Sequence, residues 1–227
     1  MKKFVVVANR TGGQGKTLLS HLFASLFPPE RVVLCADSET NGISKLGRMV
    51  SGVVELGAGP TSEDLREGGL NVYSYWDRLA DSLLTEGESP VILDVGANII
   101  DRILEWGAAS DFKEYAGTLV DSILVVPVVA KPKSLSDAAD LVRDARAQNG
   151  GIEFSRILVV RNSWQGGFEG IVDQAEYVRL TSMLGDKDVV ADLPRCDSAI
   201  LQFVEERQLY LAEVADLGVA DIADLFG

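Results

Sequence analysis

Histidine and cysteine are almost missing from this chain: its 227 residues hold one of the first and two of the second. With His21 alone, a Ser-His-Asp centre could exist only if His21 served it, and no G-x-S-x-G segment is present. Cys35 and Cys196 have no metal-type neighbours and fall beside expected strand ends, which reads as two buried, reduced thiols. No apolar run approaches the roughly 20 residues that span a bilayer. The opening MKKFVVVANR has two lysines and an apolar run, but Asn9 and Arg10 end it early and no small-residue cleavage site follows. It reads as a first strand of a cytoplasmic protein. Basic residues are also scarce: 21 against 34 acidic ones, a formal net charge of −13, and none after Arg207. That balance repels nucleic acid and anionic membranes unless Lys131, Lys133, Arg143 and Arg146 make a local basic face. What chemistry there is must rest on carboxylates, lysine and backbone amides.

The composition present is that of an ordinary globular chain, 47% hydrophobic and 24% charged. Its length suits one α/β domain over residues 1–227. Runs dense in Val, Ile and Leu begin at Phe4, Arg31, Pro90, Ser122, Ser155 and Asp188. They do not alternate with polar residues, as expected of parallel strands covered on both faces. Helical periodicity separates them, which predicts a doubly wound, mostly parallel sheet with helices on both faces. Leu19, Leu22, Phe23 and Leu26 would share one helix face, ended by Pro28 and Pro29. Trp76, Leu79, Ala80, Leu83 and Leu84 mark a second. Leu135, Ala138, Ala139 and Val142 mark a third, capped by Ser134 or Ser136. Residues 57–69, rich in Gly and acids, read as a surface loop.

Between the first strand and the first helix stands TGGQGKT, Thr11 to Thr17. Glycines at 12, 13 and 15 let backbone N–H groups curl closely round phosphate oxygens, and Lys16 can reach the same anion. Thr17 can place its hydroxyl on Mg²⁺, and the helix it opens points its positive dipole end at the charge. Gln14 and Leu18 complete the segment assigned to the nucleotide.

The usual loop has glycine where this chain has Arg10, and Gly12-Gly13 resembles instead the K-G-G-x-G-K-[ST] loop of the ParA/MinD ATPases. LCADSETNG resembles that family's first switch, with Asp37 on its second aspartate and Asn41 on its asparagine, Cys35 replacing the first aspartate. VILDVGA resembles its Walker B strand and second switch, ending at Asp94. VVRNSW puts Asn162 where the family reads the adenine edge, and ADLPRCDSAI puts Pro194 near the base. LDVGA and RNSWQGGFEGIVDQAEY are also similar to segments of the plasmid StbB/TraL-type branch.

The resemblance implies an ATP- and Mg²⁺-dependent switch in plasmid partition, conjugal transfer or cargo positioning. Lys16 and the loop amides would bind phosphates, Asp37 would orient the attacking water, and Thr17, Asp94 and Asp37 would serve the metal. It also implies an ATP-dependent homodimer and a protein adaptor, since the charge makes direct DNA or membrane binding doubtful. One departure stands out. The family's signature lysine, which crosses the dimer interface, falls on Thr11, so Arg10 either supplies that cation one residue early or faces solvent. A small-molecule kinase or ligase, with a cleft near Asp37 and Pro60, and a scaffold with little hydrolysis stay open. The segment Asn162-Ser163-Trp164-Gln165 is not the N-K-x-D that reads guanine.

Overall fold

A computed structural model describes residues 1–37, 43–57, 76–85, 87–147, 151–196 and 200–218. Its strands are β1 (Lys2–Val7), β2 (Val32–Ala36), β3 (Val54–Glu55), β4 (Val91–Val95), β5 (Val120–Val128), β6 (Phe154–Asn162) and β7 (Val189–Leu193). They form one sheet in the order β3-β2-β4-β1-β5-β6-β7, with every pair parallel. The helices are α1 (Lys16–Leu26), α2 (Lys45–Met49), α3 (Asp77–Thr85), α4 (Ile100–Ala109), α5 (Phe112–Ala116), α6 (Pro132–Ala147), α7 (Ala175–Ser182), α8 (Ile200–Glu206) and α9 (Leu211–Ala215).

Alternation along each strand feeds two cores. Phe4 and Val6 of β1 point with Leu34, Leu93 and Leu124 toward α3, α4 and α6, where Leu79, Ile103 and Leu135 meet them. Val5 and Val7 point the other way, with Val125 and Leu19. Val33 and Ile92 join Ala24, Leu46 and Met49 on that second side, under α1 and α2. Burial on both faces is why these strands carry no polar stripe.

The six expected strands are present, and a seventh was missed. β3 is two residues long and pairs only with β2, at Leu34↔Val54 and Cys35↔Glu55. So short an edge strand leaves no run to detect. The first helix packs Leu19, Leu22 and Phe23 inward as expected, but its buried face leaves out the last member of the stripe and takes in other residues. Leu26 is 79% exposed, while Ser20, His21 and Ala24 are buried. Leu84 of α3 is exposed as well. The third helix starts at Pro132, a residue suited to a first helical position, so Ser134 lies inside it and not at its cap. Cys35 is buried in β2 and burial pushes its thiol up, whereas Cys196 is only half-buried. The surface loop read at residues 57–69 falls, apart from Gly57, outside the described residues, as does Asn41. No helix among the described residues is long and apolar enough to cross a membrane.

His21 is a docking residue. Its Nε2 accepts the Leu211 N–H at 2.9 Å and its ring stacks on Tyr210 at 5.5 Å, tying α9 to α1. Tyr210 donates to the Ala24 carbonyl at 2.7 Å, and Arg31 lies over its ring. Burial, with the Arg31 charge adding, pushes the His21 pKa down from 6.5 to about 4. A lowered histidine pKa means the unfolded form takes up a proton first, so this contact loses stability as pH falls from 6.5 toward 4. Leu211 amide exchange, corrected for the intrinsic pH dependence, should therefore lose protection across that window, and His21→Gln should flatten the dependence. Equal protection at pH 7 and pH 4.5 would refute the assignment.

Candidate nucleotide site

Parallel register collects the chemistry at one end of the sheet. Val7 pairs with Asp94 and with Val125, Cys35 pairs with Asp94, and Asn162 pairs with Leu193. The loop after β1, Asp37 after β2, Asp94 in β4, Asn162 ending β6 and Pro194 after β7 thus share the carboxyl edge, where ligands bind in open α/β sheets.

The loop is shaped for an anion. Gly13 and Gly15 have φ of 72° and 91°, a region costly for other residues. Gly15 is the N-cap of α1, with no side-chain cap, and no acidic residue stands in the first turn. The helix start is left for an outside negative charge. A Cβ on Gly15 would also come 2.5 Å from Asn162 Nδ2. Gly12 meets nothing within 4 Å, so only an arriving ligand would demand its smallness.

Struts hold this loop. Asn9, fully buried, donates to Pro127 O at 2.8 Å and accepts the Thr11 N–H at 2.9 Å. Gln14 donates to Gly12 O at 2.8 Å while its Oε1 accepts from Val129 N and the Ser134 hydroxyl. That is the role of Ser134 inside α6. Asn162 donates to Gln14 O at 3.0 Å and accepts the Trp164 N–H at 3.1 Å. An adenine edge would have to use its second Nδ2 proton or its second lone pair. Pro194 is exposed beside it.

Lys16, 9% exposed, donates from Nζ to Thr11 O at 3.0 Å. Burial lowers its pKa, against the pull of Asp94 and Asp37. Asp94 accepts from Thr17 Oγ1 at 3.0 Å and from Ser20 Oγ at 2.9 Å. Burial raises its pKa from 3.8 to about 6; the two hydroxyls and Lys16 oppose the rise and Asp37 adds to it. Ser20 was missed in the sequence, although it follows Thr17 by three residues and so lies on the same helix face. Asp37 sits over Gly96, where any Cβ would collide with its Oδ1. Leu18, next to Thr17, is half-buried. Thr17, Ser20, Asp94 and Asp37 offer only oxygen donors. They form no closed cage, as no group of three or more metal-type side chains converges among the described residues. Such a set fits Mg²⁺, which takes one or two carboxylates and completes its shell from phosphates and water.

Arg10 does not face solvent freely in the single chain. Its Nε lies 3.0 and 3.1 Å from the two Asp101 oxygens, and Nη2 lies 2.5 Å from Asp101 and 2.7 Å from Asp144. The guanidinium is thus clamped between α4 and α6 of its own chain, and these carboxylates raise its pKa against the cost of burial. Thr11 in turn donates to Asp137. The possible basic face is largely compensated: Lys133 pairs with Asp137, Arg143 with Asp140 and Asp144, and Arg146 with Asp188. A cleft of about 660 Å³ lies at the opposite, amino-terminal edge of the sheet, lined by Phe112, Val120, Arg146 and Asp188. Neither the loop after β1 nor Asp37, Asp94, Asn162 or Pro194 lines it.

No protein-family model and no curated protein sequence matches the chain. Solved structures do. A ParA family ATPase from Chlorobium tepidum superposes with a TM-score of 0.54 at 16% identity, over 96% of this chain and 93% of that one. The ATP complex of Cyanothece McdA gives 0.52 at 17% identity, over 100% and 94%. The MinC:MinD complex of Aquifex aeolicus gives 0.51 at 15%, over 95% and 89%. At such identities the likeness speaks for architecture, and with the sheet order and the loop after β1 it leads to one conclusion: this chain has the P-loop α/β fold of the ParA- and MinD-type ATPases.

Proposed function

We propose that this chain is a single-domain, cytoplasmic ATP-hydrolysing switch of the ParA/MinD type, acting in partition, conjugal transfer or cargo positioning. The observation that carries it is the uncapped start of α1 beside Lys16, with Thr17 and Ser20 both bonded to Asp94. Amides of residues 12–17 and Lys16 hold the phosphates. Thr17, Asp94 and Asp37 would hold Mg²⁺, which when bound neutralises charge developing on the phosphates. Asp37 orients the attacking water. Asn162 and Pro194 flank the base. The ATP complex of McdA supports ATP as the ligand, and MinD in complex with MinC supports a protein adaptor here. With a net charge of −13 and most of the possible basic face paired within the chain, direct DNA binding has little to draw on.

In the homodimer we propose, Arg10 crosses to the partner's phosphates, so ATP must outcompete Asp101 and Asp144 for it. A scaffold with little turnover is the second reading, favoured by that clamp and by Thr11 in place of the lysine. Calorimetry with ATP and GTP, followed by sedimentation in an Asp37→Ala background, tests both. We expect ATP to bind more tightly than GTP and to drive dimers. Arg10→Ala should weaken dimerisation about tenfold or more while leaving monomer affinity alone. Tighter GTP binding would overturn the nucleotide assignment. A persistent monomer, or dimers indifferent to Arg10→Ala, would leave Arg10 as an internal clamp.

A further inference from the structure

Trp164 is the one tryptophan of the three that solvent reaches: it is 59% exposed, whereas Trp76 and Trp106 are each 2% exposed. A large exposed indole needs a reason, because apolar surface left in water forgoes its burial energy. Its surroundings supply one. Trp164 lies in a single turn of 3-10 helix, Ser163–Gln165, capped by Asn162. Both ends of that turn are fastened to the loop after β1. Asn162 donates to Gln14 O at 3.0 Å, and Gln165 donates to Gly13 O at 3.2 Å. The indole is therefore carried on a turn fixed to the phosphate loop.

The direction in which a nucleotide must lie follows from the carboxylates. Asp94 and Asp37 stand on β4 and after β2, to one side of β1. Thr17 reaches Asp94 on that side, so the terminal phosphates and their charge chemistry belong there. The rest of the nucleotide then extends the other way, across the carboxyl ends of β5 and β6, where the turn carrying Trp164 lies.

We infer that Trp164 is the stacking platform for the base of the bound nucleotide. This rests on the nucleotide reading above and adds a specificity element to it. Stacking tolerates any base, because each presents a π face. Trp164 therefore supplies affinity for a nucleoside as against bare polyphosphate, and the choice among bases falls to polar groups such as Asn162.

The test uses the full chain and two probes, ATP and inorganic tripolyphosphate. Because Trp164 alone is exposed, acrylamide quenching of tryptophan fluorescence reports on it selectively. Saturating ATP should shield the indole, and tripolyphosphate should not. Trp164→Ala should weaken ATP and GTP binding alike by about 5- to 100-fold, leave tripolyphosphate affinity unchanged, and be partly rescued by Trp164→Phe. A purely structural role would weaken all three ligands together, and that result would overturn the inference. So would ATP binding, seen by calorimetry, with the quenching of Trp164 unaltered; the nucleotide reading would survive that outcome. Absence of ATP and tripolyphosphate binding alike in the wild type would sink both.

Discussion

Lys16→Ala should remove measurable ATP binding and leave the nucleotide-free protein at least as stable as before. The first half follows from charge. An ammonium held in a buried site beside phosphate makes charge-assisted hydrogen bonds worth about 1.5–3 kcal/mol, roughly a tenfold to hundredfold change in affinity. The loop then loses its only buried cation against several phosphate charges, so the loss exceeds that of one bond. The second half follows from burial. Lys16 is 9% exposed, and its pKa is lowered because desolvation opposes its charge. Its one bond to Thr11 O offsets that cost incompletely. Removing the ammonium should therefore hold or raise the melting temperature without ligand while cancelling the shift ATP produces in the wild type. Calorimetry for affinity and a melting curve for stability separate the two. An unchanged ATP shift in the variant would remove Lys16 from phosphate binding.

Asp37→Ala should do the reverse: bind ATP within a few-fold of wild type and hydrolyse it about a hundredfold or more slowly. The carboxylate is held over Gly96, which has no room for a side chain, and Gly96 N donates to Ala36 O at 2.7 Å. The strand end thus fixes Asp37 at the charged side of the site. Its loss removes an acceptor for the attacking water and also a like charge from Asp94, whose pKa should drop as a result. Single-turnover hydrolysis is the measurement, since multiple turnovers can be limited by product release. An unaltered single-turnover rate would show that the water is oriented by another group.

How much of this was legible depended on whether burial and polarity agreed. Where apolar residues are buried, as in β1, β4 and β5, the sequence displays the strand directly. In α1 they agree at Leu19, Leu22 and Phe23 and part elsewhere: Lys16, Ser20 and His21 are buried for the anion site and for α9, while Leu26, the last residue of the stripe, is exposed. The glycine loop and Asp94 were readable because their chemistry needs fixed spacing along one strand-loop-helix unit or a strand end. The partners of Arg10 were not. Asp101 and Asp144 are single acidic residues on separate helices, and only tertiary packing brings them to one guanidinium. The contact between Gln14 and Ser134 escaped for the same reason: 120 positions separate the two side chains.

The strand order also carries a consequence for how the protein is made. Of the seven strands β1 leaves the ribosome before the others, yet Phe4 has to wait for Val91 and for Ser122 before it has neighbours on either side. Neither described strand made in between substitutes, because β2 pairs with β4 and β3, and β3 with β2, in the sheet order. Pairings this distant in sequence are slow to form, and an apolar strand left open meanwhile is exposed to wrong partners. The anion loop hangs from the end of that waiting strand, held by Pro127 near the end of β5 and by Val129 just past it. A nascent chain stopped before β5 should therefore have the whole glycine motif and no affinity for phosphate, and nucleotide can assist folding only in its closing stage.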